Sequence, residues 1–195
     1  MISSQVKNFP KESIADTKYT LRLATIEDAY EIWTVMDTSS KVPEHKEYFI
    51  CDDLEYVKDI LTKHGFGVVA CDSDGKIVGN LLVKYPGLDM ENLGYDVFGN
   101  HRLCKIELTS ENLTCVIHMD SASVLPEHRG YHLESKMISF AEKLIDVSKY
   151  TYSFATVAPE NLASLKSLER NGYQVMVTKE KYGGLMRCVM MKKLV

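Results

Sequence analysis

The sequence predicts an α+β fold, an α/β sandwich in which helices flank a mixed, mostly antiparallel sheet of roughly six to seven strands. The first observation is a set of strand-like runs, "YTLRLA", "FGVVAC", "KIVGNLLVKY", "LTCVIHMDSASVL", "YSFATV", "YQVMVTK" and "LMRCVMMKKL". The second is three helical segments, Asp53–His64 and Leu133–Ser148 by the spacing of their apolar residues and Glu160–Asn171 by the proline before it and the glycine after it. The third is their order, β-α-α-β-β-β-α-β-α-β-β, whose second half contains a strand, a long helix and a strand that form a right-handed parallel βαβ unit. A chain of 195 residues is long enough for one sizeable core and short for a second.

Residues 1–18 are polar and without period, an arm that docks on the domain or frays, and residues 19–195 form the single domain. Thr25, followed three residues later by Asp28, marks the start of a helix carrying Ile32, Trp33 and Met36. After an irregular linker, "TSSKVPEHKEYFICDD", the second helix sets Leu54, Val57, Ile60 and Leu61 on one face. Asp72-Ser73-Asp74-Gly75 separates two strands as a hairpin turn, because Asp-Gly accommodates the turn geometry. Residues 86–112 mix glycine, proline and asparagine with scattered aromatics and are expected to be an insertion, with a short strand at "RLCKIEL". Leu133, Met137, Phe140, Ala141, Leu144 and Ile145 define the face of the third helix. Pro159 suits the first turn of the fourth, Gly172 ends it, and "EKYGG" closes the last hairpin.

The net charge of −4 argues against general nucleic-acid binding and mildly favours a basic substrate. Five cysteines, an odd set with no CxxC pair, suggest reduced thiols, and no His, Cys or carboxylate set has metal-ligand spacing. No early apolar run and no stretch of about eighteen apolar residues occurs, so a cytoplasmic protein without membrane contact is expected, a homodimer being left open.

Between a strand and the third helix lies "VLPEHRGYHLESK". Strand, this loop, amphipathic helix, strand, "APENLASLKSLERNGY" and hairpin together resemble the acetyl-CoA-binding half of the GNAT superfamily of acyl-CoA N-acyltransferases. "LRLATIEDAYEIW" and "GKIVGNLLV" are similar to the family's opening elements, so the resemblance runs over roughly residues 19–193. In that family the loop reads Arg or Gln, two variable residues, Gly, one variable residue, then Gly or Ala. Its backbone N–H groups meet the cofactor pyrophosphate at a helix start. Arg129 matches the first position, whereas His132 and Glu134 stand where the small residues are usual. Main-chain donors survive both changes; a protonated His132 would attract a phosphate and Glu134 would repel it. The resemblance thus implies that acetyl-CoA meets Val124, Arg129, Gly130, Tyr131, His132, Leu133 and Glu134. Asn161 and Ser164 match the family's pantetheine-contacting pair, and Gly172 before Tyr173 completes that segment. At the family's usual acid, a Tyr, this chain has Leu168, which donates no proton; Tyr173 and Tyr182 are the alternatives.

On "CVIHMDSASV", period-2 alternation puts Val116, His118, Asp120, Ala122 and Val124 on one face. A central strand should be apolar on both faces, and His118 and Asp120 break that rule together. His118 is read as the base for an acceptor amine, with Asp120 orienting it or binding the ammonium. The plainer readings are a hydrogen-bonded core histidine and a carboxylate capping backbone donors. A bulge here would shift the alternation. A Cys115 nucleophile with His118 is disfavoured, since a spacing of three in a strand points the two apart. Backbone N–H groups from Met119 to Val124 would serve a developing oxyanion. Glu44, Glu47, Asp89, Glu91 and Asp96, with Tyr85, Tyr95 and Phe98, would line a pocket for cations unless these loop carboxylates are simply solvated. The expected function is transfer of acetyl from acetyl-CoA to a primary amine of a small molecule or peptide. A coenzyme-binding or sensory module without turnover and a protein-modifying enzyme are the alternatives.

Overall fold

The computed structural model describes residues 14–15, 18–42, 47–86 and 115–194. The expected strand at "RLCKIEL" and all of the expected insertion except Pro86 lie outside them. In chain order come β1 (Ile14–Ala15), β2 (Thr20–Leu23), α1 (Ala29–Ser40), α2 (Leu54–Asp59), β3 (Gly65–Cys71) and β4 (Ile77–Lys84). The second half holds β5 (Val116–Val124), α3 (Leu133–Leu144), β6 (Tyr152–Val157), α4 (Leu162–Arg170), β7 (Gln174–Lys181) and β8 (Leu185–Lys193). The strands form one mixed sheet in the order β1-β2-β3-β4-β5-β6-β8-β7, antiparallel throughout except between β5 and β6. Helices α1 and α2 pack together over one face of β4 and β5, and α3 with α4 cover the other.

Local chemistry explains the elements and their departures from expectation. Asp28 accepts the Thr25 N–H at 2.7 Å and is clamped by Arg22 at 2.6 and 2.8 Å, which fixes the entry into α1 and buries Ile32, Val35 and Met36. The expected Asp53–His64 helix is divided: Asp53 caps α2 by accepting the Tyr56 N–H at 2.8 Å, and a π-type turn, Ile60–His64, follows. Helix α3 stops four residues short of the expected Ser148, because Ile145 turns extended (φ −75°, ψ 133°) and buries its side chain. Helix α4 starts later than expected, with Asn161 as its cap, so Pro159 precedes the helix and does not occupy its first turn. Gly172 ends α4 at φ +85°, a left-handed conformation that most side chains disfavour.

Two irregularities in the sheet position the site. Strands β5 and β6 pair at only three rungs, Val116 with Tyr152, Ile117 with Ser153 and His118 with Phe154. Past that last rung the two strands share no further pairing, while β4 and β8 continue to support them on their outer sides. The register between β4 and β5 also slips: Leu82 pairs with Ser121 and Val83 with Met119. Asp120 is therefore the extra residue of a bulge, and the strict alternation read from the sequence breaks there.

Candidate active site

His118 lies at the last rung before β5 and β6 part and is 3 % exposed. Its Nδ1 stands 3.2 Å from Asp120 Oδ1, an ion-pair distance whose geometry falls short of a hydrogen bond. Its Nε2 has no hydrogen-bond partner among the described residues. The plain reading of a satisfied core histidine therefore does not describe it. Asp120 is well supplied: its Oδ2 accepts the Tyr56 hydroxyl at 2.6 Å and the Ser121 hydroxyl at 3.1 Å. Burial alone would raise the Asp120 carboxyl, but His118, the Tyr56 hydroxyl and Lys84 together hold it down to about 2. Burial and the charge of Asp120 push the nearby Asp52 carboxyl up. The fold should thus lose stability in acid. A carboxyl depressed from 3.8 to about 2 contributes its full share above the higher value and loses it as pH falls toward the lower. An Asp120→Asn variant followed by circular dichroism should show a shallower acid transition than the unaltered chain.

The loop before α3 is built by its own backbone. A 3₁₀ turn, Pro126–His128, leads to Arg129, whose Nε donates to the Val124 carbonyl at 3.2 Å. Gly130 takes φ +84°, which a glycine adopts without steric cost, and His132 takes φ +58°, which a histidine adopts less readily. Side chains from α4 brace this conformation. Arg170 Nη1 donates to His132 Nδ1 at 2.7 Å, the Ser164 hydroxyl donates to Glu134 Oε1 at 2.5 Å, and Asn171 Nδ2 donates to the Ser135 carbonyl at 3.1 Å. Tyr131 leans away toward the start of the domain, taking a hydrogen bond from Lys18 at 2.8 Å and packing edge-on against Tyr19. Neither Tyr131 nor Glu134 uses the main-chain donors: the N–H groups of Gly130 to Ser135 have no acceptor among the described residues. An anion of diphosphate type fits such a row of amides at the start of a helix. Burial raises the Glu134 carboxyl above its usual value, against the pull of the Ser164 and Ser167 hydroxyls.

No family model matches the sequence, and no curated protein matches it either. Solved structures do. The phosphinothricin acetyltransferase from Sinorhizobium meliloti, in complex with acetyl-CoA, superimposes with a TM-score of 0.65 at 16% identity, over 90% of this chain and 88% of that one. The ribosomal-protein-S5-alanine acetyltransferase from Vibrio fischeri gives 0.65 at 15% identity, over 94% and 97%. A GNAT-family acetyltransferase from Streptococcus pneumoniae gives 0.66 at 13% identity, over 91% and 99%. The chain has the GNAT acyltransferase fold. Within that GNAT fold, the parting of β5 and β6 and the free amides at the start of α3 lie in one βαβ unit.

The residues singled out in the sequence fall into two groups. His118 and Asp120 meet at the parting of the strands; Val124, Arg129, Gly130, Tyr131, His132, Leu133 and Glu134 form the loop, onto which Ser164 of α4 is bonded. Asn161 spends its side-chain oxygen on the Ser164 N–H at 3.2 Å, as a helix cap. Leu168 is core, 2 % exposed. Tyr173 is excluded as its replacement, since it is buried, donates to Ser153 at 2.7 Å and has a phenol pushed well up by burial. Tyr182 is exposed in the β7–β8 turn at φ +51°, its hydroxyl 3.0 Å from Thr156 Oγ1 on β6. Of the expected cation pocket, Glu47 is exposed, Tyr85 stacks on Tyr150 at 5.7 Å, and Glu44, Asp89, Glu91, Tyr95, Asp96 and Phe98 lie outside the described residues. Tyr56 was not singled out, because its partner is 64 residues away. Among the described residues no three His, Cys or carboxylate groups could hold a metal ion, and no helix is long and apolar enough to cross a membrane.

Proposed function

We propose that the protein is an N-acetyltransferase that moves acetyl from acetyl-CoA directly to a primary amine of a small molecule or peptide. The observation that carries this is a buried histidine whose Nε2 has no partner among the described residues, set where two parallel strands part and in the same βαβ unit as a row of amides that those residues leave without acceptors. The amides of Gly130 to Ser135 are suited to the diphosphate of the coenzyme, whose thioester supplies the acyl group. The amine nitrogen forms the new bond to the acyl carbon, its proton passes to His118 Nε2, and the carbon–sulfur bond breaks to release the thiolate. The edge of β5 beyond His118, unpaired on its β6 side, offers main-chain N–H groups to the oxygen that gains charge. With Leu168 unable to protonate the thiolate and Tyr173 buried, Tyr182, whose hydroxyl lies 3.0 Å from Thr156 Oγ1 on β6, is the one left of the two phenols read from the sequence as its substitute.

A thiol-release assay with acetyl-CoA across a panel of amines and short peptides tests the proposal, run beside calorimetric titration with the coenzyme. Saturable binding with turnover of at least one amine is expected. Binding without turnover would favour the second reading, a coenzyme-binding module, for which the buried Leu168 speaks. No heat with the coenzyme would end both. Glu134 gives a finer check. Its raised carboxyl opposes a bound anion once ionised, so coenzyme affinity should weaken as pH rises through its titration. Glu134→Gln should tighten binding about threefold at neutral pH and flatten that dependence, as the removal of one like charge near a phosphate implies.

A further inference from the structure

Tyr56 is placed by its own helix. Asp53 accepts its backbone N–H at 2.8 Å, so the first turn of α2 is fixed before the side chain leaves it. From there the phenol crosses to the bulge in β5 and donates to Asp120 Oδ2 at 2.6 Å. The Ser121 hydroxyl occupies the same oxygen at 3.1 Å, leaving Oδ1 to face His118 Nδ1 at 3.2 Å. The carboxylate is thereby divided, one oxygen taken by two hydroxyls and the other turned to the imidazole. That division has chemical weight. An enclosed carboxylate with no other donor holds an imidazolium tightly, and a base that keeps its proton cannot take another. Each hydroxyl on Oδ2 draws charge from the carboxylate and weakens that hold.

Among the described residues, the other groups facing the pair come from four elements. Strand β4 contributes Lys84, the register partner of His118, whose ammonium lies 5.5 Å from the Tyr56 ring. The segment before α2 contributes Asp52, β5 contributes Ser121, and β6 contributes the apolar Phe154. Of these, the Tyr56 hydroxyl makes the shortest contact with the carboxylate.

We propose that Tyr56 is a positioning residue for the transfer reaction: it fixes the Asp120 carboxylate against His118 and limits its pull on the imidazole, so that Nε2 can accept the acceptor's proton. The inference rests on the acetyl-transfer reading with His118 as base.

The test is Tyr56→Phe, which keeps the ring and removes the one donor. The His118 imidazole is titrated by NMR in the free protein, its resonance assigned by its loss in His118→Gln, and kcat/KM is followed against pH with acetyl-CoA and an amine that turns over. The midpoint of His118 is expected to rise by about one pH unit. Correspondingly, kcat/KM should fall by up to about tenfold on the acid side of that midpoint and recover to within about twofold at a pH about one unit above it, with KM for acetyl-CoA unchanged. Ser121→Ala, which removes the longer of the two bonds, should move the midpoint the same way by less. Recovery in alkali is the signature, since a general loosening of the fold would lower activity at every pH. An unmoved or lowered midpoint, or an equal loss at all pH values, overturns the role of Tyr56 while His118→Gln still abolishes turnover. Full turnover by His118→Gln would instead remove the base itself and the inference with it.

Discussion

His118→Ala should lower the rate of the proposed acetyl transfer roughly a hundred- to ten-thousandfold while leaving coenzyme binding within about twofold. The separation follows from where the atoms lie. The amides suited to the coenzyme belong to Gly130 through Ser135, braced by Arg170, Ser164 and Asn171 of α4 and its cap, and none of these touches His118. The imidazole instead faces Asp120, and its Nε2, buried and without a hydrogen-bond partner among the described residues, is the nitrogen proposed to take the amine's proton. An amine with an ordinary pKa near 10 is almost wholly protonated at neutral pH, so removing the proton acceptor slows the chemical step and not the binding step. The pH profile carries the same information. If His118 is the base, the unaltered protein should lose kcat/KM on the acid side, and the variant should lack that limb. Titration calorimetry with coenzyme A and a thiol-release assay on one preparation give both quantities. An equal loss of turnover and affinity would take His118 out of the base role. The truncation leaves Asp120 with Tyr56, Ser121 and the charge of Lys84, so the carboxylate is not stranded in an apolar core.

What could be read beforehand, and what could not, divides along the range of the interaction. The strands and the βαβ unit were legible because alternation and helical spacing are written within a few neighbouring residues. The loop was legible as a motif, and the pairing of His118 with Asp120 as two polar residues in an otherwise apolar strand. The bulge at Asp120 was not, because register is a relation between β5 and β4, and nothing local to either strand specifies it. Tyr56 sits one residue before the buried Val57 and reads as the solvent side of a short amphipathic helix; only the approach of α2 to β5 makes it part of the site. The same holds for Arg170, which lends His132 its support from another helix. Helix ends erred where tertiary packing overrode propensity, as when Ile145 left α3 to bury its side chain. Leu168 illustrates the reverse case: its identity already said that it could not supply a proton, and its burial adds what it does do, which is pack the core.

Phe154→Ala should destabilise the fold by about 3–5 kcal/mol, a large fraction of what a domain of this size has to lose. Phe154 is wholly buried and forms, with Val116 and Val189, a cluster separate from the main core, flanked by the partly buried Tyr152, Met176, Val177 and Met191. So small a cluster has few other groups to collapse into the cavity, which places the cost toward the upper end of the range. Phe154→Leu keeps most of the volume and should cost under about 1.5 kcal/mol, so urea unfolding of the pair, read as a shift in midpoint at constant slope, isolates the packing contribution. The functional consequence comes from the register. Phe154 is the partner of His118 on the last rung that β5 and β6 share, so the residue that fills this cluster also sets where the strands separate. On the acetyl-transfer reading, a chain weakened there should lose turnover before it unfolds, because His118, the proposed base, depends on a fixed edge of β5 for its place beside Asp120. A Phe154→Ala protein that unfolded near the midpoint of the unaltered chain would mean that the rung is held by its backbone bonds and the flanking β8, and that the parting of the strands does not depend on this aromatic ring.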